Sequence, residues 1–417
     1  MKFNFDHWSF DLLGGCFGIA IGLGLVRFDF GIIGSLMVDA KWINIEDIGR
    51  LAAINMFGYL AGAIQQACIK RKQVSIRFVF VFVFVFVFVG LIVIVISIIL
   101  EGKYINFTSQ SILRLICGWG AAQLVAGLPS LALERVPPNW RRQSTGVIMC
   151  GGGVGALLGS VAIGTFSPTS APTAWNVLAL LTMFLSLPTL RLIFTSFKLQ
   201  ANCAKSNIKA VRDVRSSSKA GSLGRPILFI IMGFVFMQIG QVPVILYEPL
   251  IAIKKIGLTP MVSSNVDGLF GFGLIMGGLI PSMTSSKLTT KAFLPLISLF
   301  GLLGVILFGA TQNVSALSIS ILLIGVWDMM IGTLTIDRLG QLCNEELQRR
   351  YWAFATSFGS LGFIIFSTAT SQLSGTNINL VLALGIVAVV IHAFLEFMQC
   401  LIVIKPRPMI ASYGSDK

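Results

Sequence analysis

Twelve stretches of this sequence are apolar and long enough to cross a membrane as helices, a crossing that takes about 20 residues. They run Leu12–Met37, Ile48–Ile69, Phe78–Leu100, Phe107–Leu133, Gly146–Phe166, Ala174–Phe197, Pro226–Leu250, Val262–Thr284, Phe293–Thr311, Ala316–Thr335, Trp352–Gln372 and Ile378–Ile404. The gaps between them are of two kinds. Of the 31 Lys and Arg residues, 23 fall in alternate gaps and at the two ends, and five (Lys41, Arg50, Lys103, Lys254 and Lys255) fall in the other gaps. Positive charge stays on the cytoplasmic side when helices insert. The pattern therefore predicts a multi-pass protein of the cell inner membrane with both termini cytoplasmic. The first stretch is long, contains Arg27 and lacks an A-x-A cleavage site, so it reads as a retained span rather than a signal peptide.

The longest polar gap, Lys198–Arg225, is basic, Ser-rich and nearly central. It reads as a cytoplasmic linker (198–225) between two six-helix bundles, residues 1–197 and 226–417. The pairs Arg141-Arg142 and Arg349-Arg350 precede the fifth and eleventh spans at an offset of half the chain, as in a duplicated bundle. The expected fold class is an all-α polytopic membrane protein, with twelve transmembrane helices in two pseudo-symmetric six-helix bundles. The alternating Phe/Val run from Phe78 to Val89 has strand propensity, but both its faces are apolar. A lone strand would leave backbone groups unpaired in lipid, so a helix is expected there.

Composition agrees. Hydrophobic residues make up 55% of the chain and charged residues 12%, too few charges to keep a soluble domain of this size wet. The net charge of +14 sits in the loops of one side, where it orients the chain against anionic lipid rather than binding nucleic acid. None of the seven cysteines falls in a predicted outer loop, there is no CxxC, and the histidines are His7 and His392 alone. Neither disulfides, a metal site nor a cofactor is expected. With no G-x-x-x-x-G-K-[ST], HExxH or GxSxG, and no Ser–His–Asp set, ATP coupling and covalent catalysis find no support, so an enzyme is not expected.

Candidate chemistry lies in the ionisable and amide residues carried into the spans, where a charge costs on the order of 2.5–3.5 kcal/mol. Arg27 and Arg114 fall at matching depth, about 8–10 Å below the outer surface by helical rise. Together they suit a clamp on an anionic solute or partners for buried acids. Each has the alternative of snorkelling to the outer interface, Arg114 more readily than Arg27. Gln238 and Gln241, at i,i+3, share one face of the seventh span. Asp328 lies mid-span in the tenth, followed by Gly332 and Thr335 on one stripe. A buried carboxylate is a candidate proton carrier, or else a structural partner. Asn55 and Tyr59 share a face of the second span, to line a cavity or to bond across helices. Glu248 is expected at the outer water boundary, Asp267 near the outer end of its span and Glu396 toward the inner side. Glycines crowd the first span (Gly14, Gly18, Gly22) and the fifth (Gly151, Gly152, Gly153, Gly155, Gly159), as close helix packing requires.

Three segments carry a family resemblance: GLVRFDFG (24–31), GRLAAINMFGYLAGA (49–63) and LRLICGWGAA (113–122). They resemble the YbfB-type branch of the major facilitator superfamily, whose pattern is R-F-x-[YF]-G, then L-A-x-x-N-x-x-G-Y-L-x-G-A, then a fourth-span Arg. Arg27, Asn55, Gly58, Tyr59, Gly62 and Arg114 match. The resemblance implies that spans 1, 4, 7 and 10 line the central path. The loop between spans 2 and 3 keeps basic residues but lacks the acid of the superfamily's G-x-x-x-D-R signature, and the fifth span lacks G-P-x-x-G-G. The resulting expectation is a monomeric secondary active transporter of a small organic solute, coupled to protons. Arg27 and Arg114 would hold a negative group, with Gln238, Gln241, Asn55 and Tyr59 binding solute and Asp328 coupling. A non-transporting membrane sensor or scaffold on the same fold is the alternative.

Overall fold

The structure, a computed structural model, describes residues 7–71, 76–167, 169–205, 224–283 and 290–402, and among these there is no β-strand. Among the described residues twelve helices of membrane length follow the predicted order, and all but α2 are also apolar enough to cross by composition: α1 (Trp8–Asp39), α2 (Ile45–Arg71), α3 (Ile76–Glu101), α4 (Phe107–Ala132), α5 (Arg141–Phe166), α6 (Ala171–Lys205), α7 (Arg225–Lys254), α8 (Pro260–Met283), α9 (Thr290–Ala310), α10 (Val314–Leu342), α11 (Glu345–Thr376) and α12 (Ile378–Leu401). Several are longer than their apolar stretches: α10 runs past Thr335 to Leu342, α11 starts before Trp352 at Glu345, and α6 continues past 197 to Lys205. Hydropathy marks only the part of a helix that lipid contacts; polar turns extend it into water. Most of the proposed linker (206–223), as well as residues 403–417, lies outside the described residues.

Asparagines set four helix starts. Asn106, Asn313, Asn344 and Asn377 accept from the backbone N–H of Ser109, Ala316, Leu347 and Leu380 at 2.8–3.2 Å. Each satisfies a donor that the first turn would otherwise leave free. The Phe/Val repeat is helical. Phe84 and Phe88, one turn apart, pack on Phe197 and Phe194 of α6, while Phe86 meets Trp119 of α4 edge-on. Period two on a 3.6-residue helix spreads the rings over two faces, and both find aromatic partners.

Helices α1–α6 pack mainly on one another, as do α7–α12. The two groups meet where α5 lies on α8, α2 on α11, and the second half of α1 on the second half of α7. The glycine crowd in α5 serves this geometry. A Cβ at Gly155 would lie 2.2 Å from the carbonyl oxygen of Ala20 in α1, and one at Gly153 would lie 2.5 Å from that of Gly271 in α8. One face of α5 thus hugs its own half and another face hugs the other half, backbone to backbone.

Three spans are broken where they reach the middle of the bundle. In α1 the turn widens over Ala20–Phe28, with Asp29 N–H donating to Gly24 O at 3.1 Å, five residues back. Helix α5 is interrupted at Cys150, ahead of its glycine run, and α7 at Gln241, two residues before Pro243. Proline has no N–H to return to the preceding turn, which explains the last break.

The two faces of the bundle differ. The start of α1 is tied to the α4–α5 loop by an ion pair between Asp11 and Arg135 and by the Trp8–Trp140 ring contact, and Lys291 donates to the carbonyl of Ile402 at 3.2 Å. The described chain therefore enters and leaves on the face of the basic loops. Here a cavity of about 420 Å³ opens between α5 and helices α8–α11, with Arg142, Gln341 and Gln348 toward its mouth and Met329 and Gly332 deeper in. On the opposite face α1 is packed against α7, and a pocket of about 440 Å³ lies beside that contact, between the ends of α2, α7, α11 and α12. Gly31 of α1 sits so near α7 that a Cβ would stand 2.3 Å from the carbonyl oxygen of Ile245, and Tyr247 is fully buried.

Overpacking a tight helix contact costs about 1–3 kcal/mol. Gly155→Val is expected to lower the melting temperature of the purified protein through its clash with α1. Gly332→Ala, whose new Cβ would meet nothing within 4 Å, should melt at or above the parental temperature, since helical alanine is favoured over glycine by roughly 0.5–1 kcal/mol. Thermal denaturation in detergent compares the two.

Candidate functional site

Arg27 projects from the widened turn of α1 into the space between the halves. Its Nη2 donates to Gln238 Oε1 of α7 at 3.0 Å, and its guanidinium lies 5.3 Å from the ring centre of Phe363 in α11 and 5.5 Å from that of Phe28. Gln241 stands at the break in α7, amide to amide with Gln238. The two ends of an amide are assigned from their partners. With its nitrogen toward Asp328, Gln241 donates to both carboxylate oxygens, at 2.9 and 3.0 Å, and its oxygen accepts from Arg27 Nη2 at 3.2 Å and from the amide of Gln238, which in that arrangement donates to Gln241 instead of accepting from Arg27. A polar bridge thus runs from Arg27 of the first half through the α7 amides to Asp328 of α10 in the second. Among the described residues no direct ion pair joins Arg27 to Asp328; the amide stands between them. Tyr59 of α2 lies within electrostatic range of Arg27.

Two observations make this bridge a candidate site rather than a closed structural network. The Nε of Arg27 is buried and has no hydrogen-bond partner, although leaving a donor unsatisfied away from water costs about 1–3 kcal/mol. Asp328 also adjoins Met329, Met330 and Gly332, which line the cavity open to the basic face. A cavity of a few hundred cubic ångströms is the size that small organic ligands fill.

Arg114 departs from the expectation of a second clamp arm. It is 1% exposed, and all three of its guanidinium nitrogens are engaged. Nε and Nη2 hold Glu101 of α3 at 3.1 and 2.5 Å, and Nη1 donates to the carbonyl of Val26 at 2.9 Å, one residue before Arg27. Phe30 and Trp175 cover the group at 4.4 and 5.0 Å. It neither snorkels nor offers a free donor; it anchors the α1 backbone beside Arg27. Asn55 serves the same wall, donating to the carbonyl of Arg114 at 2.9 Å. Arg27, Asn55, Arg114 and Phe363 together line a void of about 10 Å³, room for about one water. Thr335 is buried facing away from this bridge's hydrogen bonds, its hydroxyl without a partner.

Three acids are buried, Glu248 against expectation. Glu101, one residue beyond the predicted third span, is fully buried as the Arg114 partner. Glu248 is not at the water boundary but fully buried, and Asp267 is 7% exposed and bonded to Ser160. Asp29, given no role from the sequence, is buried next to them and carries the same signal as Asp328, a carboxylate within an apolar stretch. Glu396 is likewise fully buried. Trp327 is a packing residue that donates to His392 Nε2 at 3.3 Å, so His392 donates through Nδ1 to the carbonyl of Gly233 at 2.8 Å.

Removing one member of a buried ion pair costs about 3–5 kcal/mol because the other charge stays behind. Glu101→Gln is therefore expected to lower the melting temperature markedly, with much of the loss recovered in the uncharged pair Glu101→Leu/Arg114→Met. Asp328→Asn, in the open bridge, should melt close to the parent. Equal destabilisation by Glu101→Gln and Asp328→Asn would remove the distinction between wall and site.

Comparison with known proteins bears on both fold and family. The family described as "Uncharacterised MFS-type transporter YbfB" matches residues 19–396, most of the chain and all of the bridge. No curated protein matches the sequence. Among solved structures, that of an aspartate-to-alanine variant of the nucleoside transporter NupG is similar with a TM-score of 0.66 at 11% identity, covering 93% of this chain and 99% of that one. At that identity the likeness concerns the fold, which is the twelve-helix arrangement seen here. By the match over residues 19–396, the chain belongs to the YbfB-type family of major facilitator superfamily transporters.

Proposed function

We propose that this protein is a secondary active transporter of a small organic solute with a negative group, working by alternating access and coupled to protons. It sits in the cell inner membrane as a monomer, with the basic face and both termini cytoplasmic. Residues 1–197 and 226–417 rock against each other, joined by the linker at 198–225. The observation that carries this reading is the unpartnered, buried Nε of Arg27 in a polar bridge that reaches from one half to the other, with Met329 and Met330, next to Asp328, lining the open cavity. Such a donor suits an anionic oxygen arriving from that cavity. Gln238 and Gln241 orient the solute, and Tyr59 and Asn55 shape the wall. Asp328 trades its amide contacts for a proton when solute engages Arg27. Arg114, with its donors committed, supports the wall instead of touching solute. The cavity on the basic side and the close contact of α1 with α7 on the other support an inward-facing state.

Ligand binding raises stability by about 2.7 kcal/mol when the ligand is at a hundredfold over its dissociation constant. A thermal-shift screen of the purified protein against amino acids, organic anions and nucleosides is expected to give a hit that Arg27→Ala abolishes. A hit of undiminished size in that variant would discard the role of Arg27. In proteoliposomes, Asp328→Asn should keep solute exchange while losing solute-driven proton uptake. Binding with no flux in sealed vesicles would assign the protein to a sensor instead.

A further inference from the structure

On the closed face, away from the Arg27 bridge, three carboxylates gather where the halves meet. Asp29 comes from α1, Glu248 from α7 and Asp267 from α8, and the hydroxyl of Ser160 from α5 lies among them, 3.2 Å from Asp29 Oδ1 and 2.9 Å from Asp267 Oδ2. Asp29 and Glu248 are fully buried. Among the described residues no lysine, arginine or histidine is in hydrogen-bond or ion-pair contact with any of the three, and the acids act on one another, Asp267 on both Asp29 and Glu248. Both oxygens of Glu248 and Oδ2 of Asp29 are buried without a partner. The three do not converge as ligands for a metal ion.

The hydrogen count fixes what the cluster holds. A serine hydroxyl has one hydrogen, so it can donate to only one of its two carboxyl neighbours at a time. The second contact is a hydrogen bond only when that carboxyl carries a proton and donates to Oγ. Glu248 has no donor to stabilise a charge, and an isolated ionised carboxylate removed from water is too costly to persist. Proton binding is thus a condition of this packed arrangement. Asp29 and Ser160 belong to one half, Glu248 and Asp267 to the other, so the cluster exists only while this face is shut.

We propose that Asp29, Ser160, Glu248 and Asp267 form a proton-binding latch that holds the outer face closed. When the halves part on that side, water reaches the acids, they ionise, and their mutual repulsion keeps the face open until protons from the outer solution reload them. This deepens the proton-coupled reading above and takes from it the identity of the outer face. It assigns the gate a proton site separate from Asp328.

The test places spin labels on Ala40→Cys of the first half and Lys254→Cys of the second, both exposed on the closed face, in a cysteine-free background reconstituted in liposomes. Distances are measured by pulsed electron resonance from acidic to alkaline buffer. In the parent, the short distance should dominate in acid and a longer one should grow as pH rises. Asp29→Asn/Glu248→Gln/Asp267→Asn should keep the short distance throughout, and Glu248→Gln alone should move the opening midpoint to higher pH. Asp328→Asn should respond as the parent does, even if its solute-coupled proton uptake is gone. A distance distribution independent of pH in the parent overturns the latch. So does an unshifted midpoint in Glu248→Gln, or a response lost in Asp328→Asn and kept in the triple variant.

Discussion

The constraint behind the whole arrangement is the cost of carrying charge and hydrogen-bonding groups into a layer without water. The chain sinks several ionisable side chains to that depth, and each is answered differently. Arg114 and Glu101 neutralise one another inside a sheath of Phe30 and Trp175. Arg27 and Asp328 are held apart by Gln241 and keep part of their valence free. Asp29, Glu248 and Asp267 face one another with a single hydroxyl between them. The first solution is inert because it is complete. The other two are incomplete, and both lie on the surface along which the halves meet.

That distribution is what a rocking machine needs. Residues that must stay fixed, such as the Arg114–Glu101 pair and the His392–Trp327 contact, lie within one half and bond to its backbone. The incompletely bonded residues lie between halves. The helices that carry them are also the ones whose hydrogen-bond ladder is locally disturbed, at Ala20–Phe28 in α1 and at Gln241 in α7. A disturbed ladder frees side chains to project inward and gives the helix a place to bend. Helix α5, flanked by glycine contacts to α1 and α8, supplies a smooth pivot between the two groups.

The three-way split also explains why two polar centres coexist in one interface. The Arg27 bridge adjoins the cavity on the basic side, whereas the carboxylate cluster is sealed on the other.

Much of the fold was legible in the residues alone. Apolar length and the one-sided placement of basic residues are properties of each helix and loop by itself, so the twelve spans and their alternation follow without knowing any neighbour. Depth is equally local, which is why Arg27 and Asp328 could each be placed well inside a span, but their meeting through Gln238 and Gln241 was not in that reading. What the chain could not disclose is azimuth: which way each side chain points around its helix axis and what stands opposite. Glu248 read as a boundary residue, and Glu101 and Asp29 drew no reading at all. Only the packing of α3 on α4, and of α1 and α5 on α7 and α8, turned these acids into an ion pair and a cluster. Partition into lipid is a sum over single residues, whereas the fate of a buried charge depends on the one neighbour it meets.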